Sequence, residues 1–237
     1  MSQFTNELLL LASVLIIFSL TVLFSRLFGE RGLVAWNVVA TILANIEVLL
    51  LVRAFGMEQT LGNVLFASTF LTTDILSELY GKKAASRAVN IGILASVCFL
   101  AISQSWLLYV PAADDWASPS VRAIFANTPR LIFASLFVYA ISQKLDVILY
   151  HKWWDFTEKR LGSKKPALWL RNNGSTLISQ MVNAVLFNLG AFWGVYDTGT
   201  LVSIIVSTYV IYIFTSLLDT PFVYLARRFA ARERADV

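Results

Sequence analysis

Six side chains stand inside apolar stretches long enough to cross a bilayer, although lipid should reject them: Glu47, Asp74, Asp146, Gln180, Asn183 and Asp219. A charge near the middle of a membrane helix costs about 2.5–3.5 kcal/mol on insertion scales. Such residues persist where they line a cavity, pair with one another or handle a solute. Their spacing groups them. Tyr139, Gln143 and Asp146 follow i, i+4, i+7, which sets an aromatic ring, an amide and a carboxylate along one helical stripe. Thr176, Gln180, Asn183 and Phe187 repeat that pattern, and Asp74 shares a face with Glu78. A carboxylate accepts two N–H bonds, an amide both donates and accepts, and a ring stacks. The combination suits a planar heterocycle that offers donors and acceptors at its edge. Asn45 and Glu47 are expected nearer the membrane midplane.

Each of these residues also has a structural reading. Intramembrane Ser, Thr and Asn often join helices by hydrogen bonds, and Asp219-Thr220-Pro221 could cap or kink its helix. Glu78 and Lys82 could form an i,i+4 surface pair, Asp74 and Asp146 could pair with Lys144 or Arg130, and Gly190 with Gly194 forms a GxxxG packing motif.

The elements that must position these residues are membrane helices. The 237-residue chain is 57% hydrophobic and 14% charged, against about 25% charged in soluble domains. A crossing takes about 20 helical residues. Apolar runs give spans at 8–28, 33–55, 61–80, 88–110, 130–150, 174–196 and 200–225, an all-α polytopic bundle forming a single domain over residues 1–237. The most polar run, 61–80, is either a full span shielded by neighbours or a re-entrant element, and faces inward in both cases. Pro111 ends the fourth span, and Pro129 sits where a helix start tolerates proline. The first run lacks a basic flank and a cleavage site, so it reads as a retained span.

Charge sets the orientation. With the N-terminus outside, the inner loops collect Arg26 and Arg31, then Lys82, Lys83 and Arg87, then the basic residues between Lys152 and Arg171, then those from Arg227 onward. The outer loops hold Glu7, Glu58, Asp114, Asp115 and Asp197, with Arg53, Arg122 and Arg130. The positive-inside rule then predicts N-out and C-in, and Asp74, Asp146, Asp219, Gln180 and Asn183 fall in one layer of the inner half. The net charge of +4 is sorted by loop rather than gathered on a face, so nucleic acid is not an expected partner. One cysteine, Cys98, and one histidine, His151, argue against disulfides, a histidine metal site or a Ser/His nucleophile. No metal and no cofactor is expected, and the absence of a G-x-x-x-x-G-K-[ST] loop argues against ATP hydrolysis by this chain.

Three segments carry a likeness: STFLTTDILSELYGKKAASR at 68–87, RLIFASLFVYAISQKLDV at 130–147 and RNNGSTLISQMVN at 171–183. Together they resemble the queuosine-precursor transporter family, also called vitamin-uptake-transporter-like proteins. The resemblance covers most of the chain from about residue 60, with residues 1–60 read as two additional N-terminal spans. It implies a non-enzymatic importer of 7-deazaguanine bases (7-cyano-7-deazaguanine or 7-aminomethyl-7-deazaguanine) in the bacterial inner membrane. It also implies an architecture similar to the substrate-binding subunits of energy-coupling-factor transporters, working without their ATPase module. The alternative is such a binding subunit that does require the module. The family's polar positions fall on Asp74, Arg130, Gln143, Asp146, Ser175, Thr176 and Gln180, and Asn183 stands where many members carry aspartate. The expected partners are a nucleobase-like small molecule and the lipid bilayer, and a homodimer is left open.

Overall fold

The computed structural model describes residues 3–126, 129–162 and 167–233. In order it contains α1 (Gln3–Glu47), β1 (Leu51–Ala54), β2 (Met57–Thr60), α2 (Gly62–Tyr80), α3 (Lys82–Trp106), α4 (Ser118–Phe125), α5 (Pro129–Leu161), α6 (Leu168–Phe192) and α7 (Thr198–Glu233). Among the described residues five helices are long and apolar enough to cross a membrane: α1, α3, α5, α6 and α7.

α1 is folded back on itself. Its 45 residues would reach about 68 Å if straight, more than twice the hydrocarbon thickness. The break is Gly29, at φ 58° and ψ −137°, a region that only glycine enters without strain. The two arms, residues 3–28 and 30–47, pack antiparallel. Phe24 meets Trp36 at 5.3 Å between ring centroids, and Trp36, Ala40 and Ala44 pack against Ile17, Leu20 and Phe24. At the far end Asn6 donates to the Arg53 carbonyl and the Phe55 N–H donates to Glu7.

The predicted span 33–55 stops early. After Glu47 the chain makes an antiparallel hairpin, Leu51 opposite Thr60 and Ala54 opposite Met57, so the fold is helical apart from this one two-stranded element. Phe55 and Gly56, at φ 53° and 73°, supply the paired positive φ of a two-residue hairpin turn. The ends of the later helices also move. α5 starts at Pro129 as expected but continues to Leu161, and α7 continues to Glu233, because amphipathic basic turns extend both helices past the apolar spans.

α2 is the central post of the bundle, buried from Gly62 through Ser77 apart from Phe66. It is one unbroken helix. The hydroxyls of Ser68, Thr69, Thr72 and Thr73 donate to carbonyls three or four residues back on their own helix, so these polar side chains need no water. The apolar core runs between α1, α2, α3 and α7, through Phe18, Leu33, Leu71, Ile75 and Val223. Outward faces are the reverse of a soluble protein's: Leu8, Ile16, Leu27, Phe133, Phe137, Val206 and Phe214 are each more than half exposed, as lipid contact requires.

Ring and ion contacts gather the basic turns at one end of the bundle. Arg26 lies over Phe229 at 4.8 Å, Arg87 reaches Glu30 at 3.5 Å, and Arg171 and Arg227 both meet Glu78. The opposite end carries the hairpin, α4 and the turn at Asp197. There Asp197 accepts from the Thr200 hydroxyl and N–H at the start of α7, which holds its carboxyl below the usual carboxylate range.

Candidate functional site

Asp74 of α2 and Asp146 of α5 come together beside α6. The Thr176 hydroxyl lies 3.0 Å from Asp74 Oδ2 and 3.4 Å from Asp146 Oδ1, and Ser179 lies 3.3 Å from Asp146 Oδ1. A hydroxyl has one proton to give, and Ser179 is also 2.8 Å from its own Ser175 carbonyl. Two carboxyl groups are therefore served by a small number of shared neutral donors. Both are fully buried. The two carboxyl groups also contact one another; no other group donates to Asp74 Oδ1 or Asp146 Oδ2, and neither end of the Gln180 amide, one turn along α6, has a partner. Buried polar atoms are nearly always satisfied, so four such atoms on adjoining turns mark a place where N–H donors and a carbonyl acceptor would be welcome.

The layer above is closed. Gln143 of α5 donates to Thr69 at 2.5 Å and its Oε1 lies 3.2 Å from the Thr73 hydroxyl, which sets it against α2. Tyr139 accepts from Asn37 of α1 at 3.0 Å. Gly92 of α3 makes that meeting possible, since a Cβ there would stand 2.2 Å from the Tyr139 oxygen. Asn183 donates to Ser142 at 3.3 Å, and the Tyr212 hydroxyl lies 3.2 Å from Asn183 Oδ1 and 3.3 Å from Asn63 Oδ1. Here a small cavity of about 30 Å³ is lined by Asn63, Phe66, Ser135, Asn183, Phe187 and Tyr212 among others, room for a water or two. Its lining stops at Asn183, two turns short of Thr176.

Three expected site residues lie elsewhere. Asn45 accepts from Ser135 at 2.8 Å near the hairpin end. Glu47 is the last residue of α1, at a helix end rather than near the midplane, because the helix stops eight residues before the predicted limit. Arg130 donates to the carbonyls of Gly190 and Trp193 at 2.8 and 2.7 Å, closing the C-terminus of α6. Gly194 lies beyond that helix at φ 78°, so Gly190 alone packs closely, on Ala134.

Below the carboxyl pair lie groups that sequence reasoning did not join. Asn172 donates to Asp219 at 2.7 Å, and Asn173 donates to Thr220 at 2.7 Å, tying α6 to α7. Glu78 accepts two hydrogen bonds from Nη2 of Arg171 at 2.7 and 2.8 Å, one from its Nε at 3.0 Å and one from Tyr150 at 2.9 Å. Glu78 is thus paired across the bundle, and Lys82 is exposed on α3. Both members of the Glu78–Arg171 pair fall inside the quoted motif blocks, which was the available signal. Ninety-odd intervening residues hid the pairing. Among the described residues no group of three or more His, Cys, Asp or Glu could hold a metal.

The comparisons with known proteins point one way. Residues 60–226 match the family model described as "Putative vitamin uptake transporter". A protein of Bacillus subtilis (strain 168) named "Probable queuosine precursor transporter" is 36% identical over 211 residues, 89% of this chain and 90% of its own length. A protein of Escherichia coli (strain K12) named "Queuosine precursor transporter" is 26% identical over 150 residues, 63% of this chain and 62% of its own. No solved structure matches significantly. With its run of long apolar helices the chain is a multi-pass membrane protein, and it belongs to the vitamin uptake transporter family that includes these queuosine precursor transporters.

Proposed function

We propose that this chain imports queuosine precursors, the 7-deazaguanine bases, across the bacterial inner membrane without hydrolysing ATP itself. The observation that carries the reading is the 36% identity, over nearly the whole chain, to a protein named for queuosine precursor transport. The carboxyl pair supports it chemically. A guanine-like base presents adjacent N–H donors and a carbonyl, the complement of a carboxyl pair with acceptor oxygens to spare and an unpartnered amide. A site built to hydrogen-bond polar edges rejects analogues that lack them by large factors.

In this reading Asp74 and Asp146 contact the donor edge of the base, with Gln180 and Thr176 beside them. Gln143, Asn183 and Tyr139 line the approach from the hairpin end. α1 contributes two crossings and α2, α3, α5, α6 and α7 one each, seven in all. The basic end faces the cytoplasm, as the positive-inside rule favours, so the N-terminus lies outside. The bundle is then a relative in architecture of the energy-coupling-factor binding subunits that dispenses with their ATPase.

The test is uptake of labelled 7-deazaguanine bases by the purified chain alone in liposomes, with and without an uncoupler. Uptake with no second protein is expected. Failure to move any 7-deazaguanine, together with uptake of some other small molecule, would overturn the substrate assignment.

A further inference from the structure

One turn beyond Asp74, four helices are tied through a single carboxylate. Glu78 of α2 takes the bidentate guanidinium of Arg171 from α6, the hydroxyl of Tyr150 from α5 and, at 3.4 Å, Arg227 from α7. The Arg171 side chain is fully buried and that of Glu78 only 5% exposed. Trp154 of α5 covers the guanidinium face at 4.4 Å, which shields the pair from water and strengthens it.

An open cleft of about 260 Å³ approaches this pair from the basic end, lined by Ser77, Glu78, His151, Trp154 and Asp155 among others. Glu78 is therefore the wall between that cleft and the carboxyl pair. At the other end Asn188 of α6 reaches Thr208 of α7 at 3.4 Å, and α2, α6 and α7 share the Tyr212 hydroxyl, which lies 3.3 and 3.2 Å from Asn63 and Asn183 beside the small cavity. Charge-assisted hydrogen bonds are roughly twice as strong as neutral ones. The two closures are thus unequal, with a fork of ionic bonds at the basic end and long neutral contacts at the other.

We propose that Glu78 and Arg171 form the gate at the basic end, and that their separation is the step that opens the carboxyl site to the cleft. The proposal rests on the transporter reading of that site but not on which molecule is moved. Neither residue touches the solute. They act through the helices, since Glu78 is four residues from Asp74 on α2 and Arg171 five from Thr176 on α6.

The test is site-directed thiol labelling in vesicles, with no substrate present, by a membrane-impermeant reagent. It uses a Cys98→Ser background, because Cys98 is exposed. Ser175→Cys reports from above the gate, where the native residue is buried, and Ser135→Cys reports from the opposite cavity. Adding Glu78→Gln is expected to raise labelling of Ser175→Cys at least tenfold, from the basic side only, with Ser135→Cys unchanged. Arg171→Lys, which keeps the charge but loses the fork, is expected to give an intermediate rate. Unchanged labelling of Ser175→Cys in both variants overturns the gate, as does an equal increase at both reporters, which would mean general loosening. Because no solute enters this assay, a failed gate leaves the uptake reading standing, and failed deazaguanine uptake leaves the gate standing.

Discussion

Two acidic clusters sit one helical turn apart on α2, and the protein treats them in opposite ways. Glu78 is saturated by cations, a phenol and an aromatic lid, whereas Asp74 and its neighbour Asp146 are served by shared hydroxyls, with oxygens left over. Equal burial with unequal satisfaction separates a group that holds structure from a group kept available. Completing a polar site rigidifies it, and leaving it partly open costs stability. In the proposed transport site the incoming base supplies the missing bonds.

The comparison can be broken most directly at Arg171. Arg171→Met leaves Glu78 buried without its main counter-charge and should destabilise the fold by about 3–5 kcal/mol, read as a fall in melting temperature in detergent. Asp74→Asn and Asp146→Asn should do the opposite, holding the melting temperature while lowering uptake by about a hundredfold or more, the roughly 2.7 kcal/mol of a charge-assisted contact. A loss of stability for Asp74→Asn as large as for Arg171→Met would erase the distinction. Gln180→Leu removes two unpartnered polar atoms, so stability should rise by about 1 kcal/mol while the apparent affinity for the base falls about tenfold, seen in competition uptake.

Asp197 offers the smallest effect and a control in water. Its carboxyl is held low by the Thr200 hydroxyl and N–H, so its contribution is present above the unfolded carboxyl value of about 3.9 and is lost as pH falls through the lower folded value. The melting temperatures of Asp197→Asn and the parent should differ slightly at pH 7 and converge in acid. A difference that persists at the lowest pH would deny the capping role.

Much of this was legible in the residues, and the limits have physical causes. The stripes Tyr139–Gln143–Asp146 and Thr176–Gln180–Asn183 are spacing facts, and both stripes are buried. Whether residues 61–80 form a continuous helix was not readable, because hydropathy counts a threonine hydroxyl as a penalty. It cannot see that Thr72 and Thr73 return their protons to their own helix. Lys82 is the partner that i,i+4 spacing offers Glu78, because a sequence displays neighbours along one helix and not those across a bundle. Arg171 won because folding brings a planar, bidentate donor into a site from which a lysine on α3 points away. The hairpin was hidden inside an apolar run, where Phe55-Gly56 is a weaker turn signal than Asn-Gly. Glu47 was misplaced for the same reason.

The fold-back at Gly29 also decides which parts are held together. It returns the second arm of α1 to the bundle, where Asn37 binds Tyr139 and Asn45 binds Ser135, two grips on α5 separated by about one turn. A helix held twice along its length cannot tilt independently of its partner. α5 is held more extensively still by α6, to whose end Arg130 is bonded at Gly190 and Trp193, so these two grips join the second arm of α1 to the α5–α6 pair. Asp146 and Thr176 both lie on that pair, so a single glycine turn near the start of the chain anchors the helices that carry the carboxyl site.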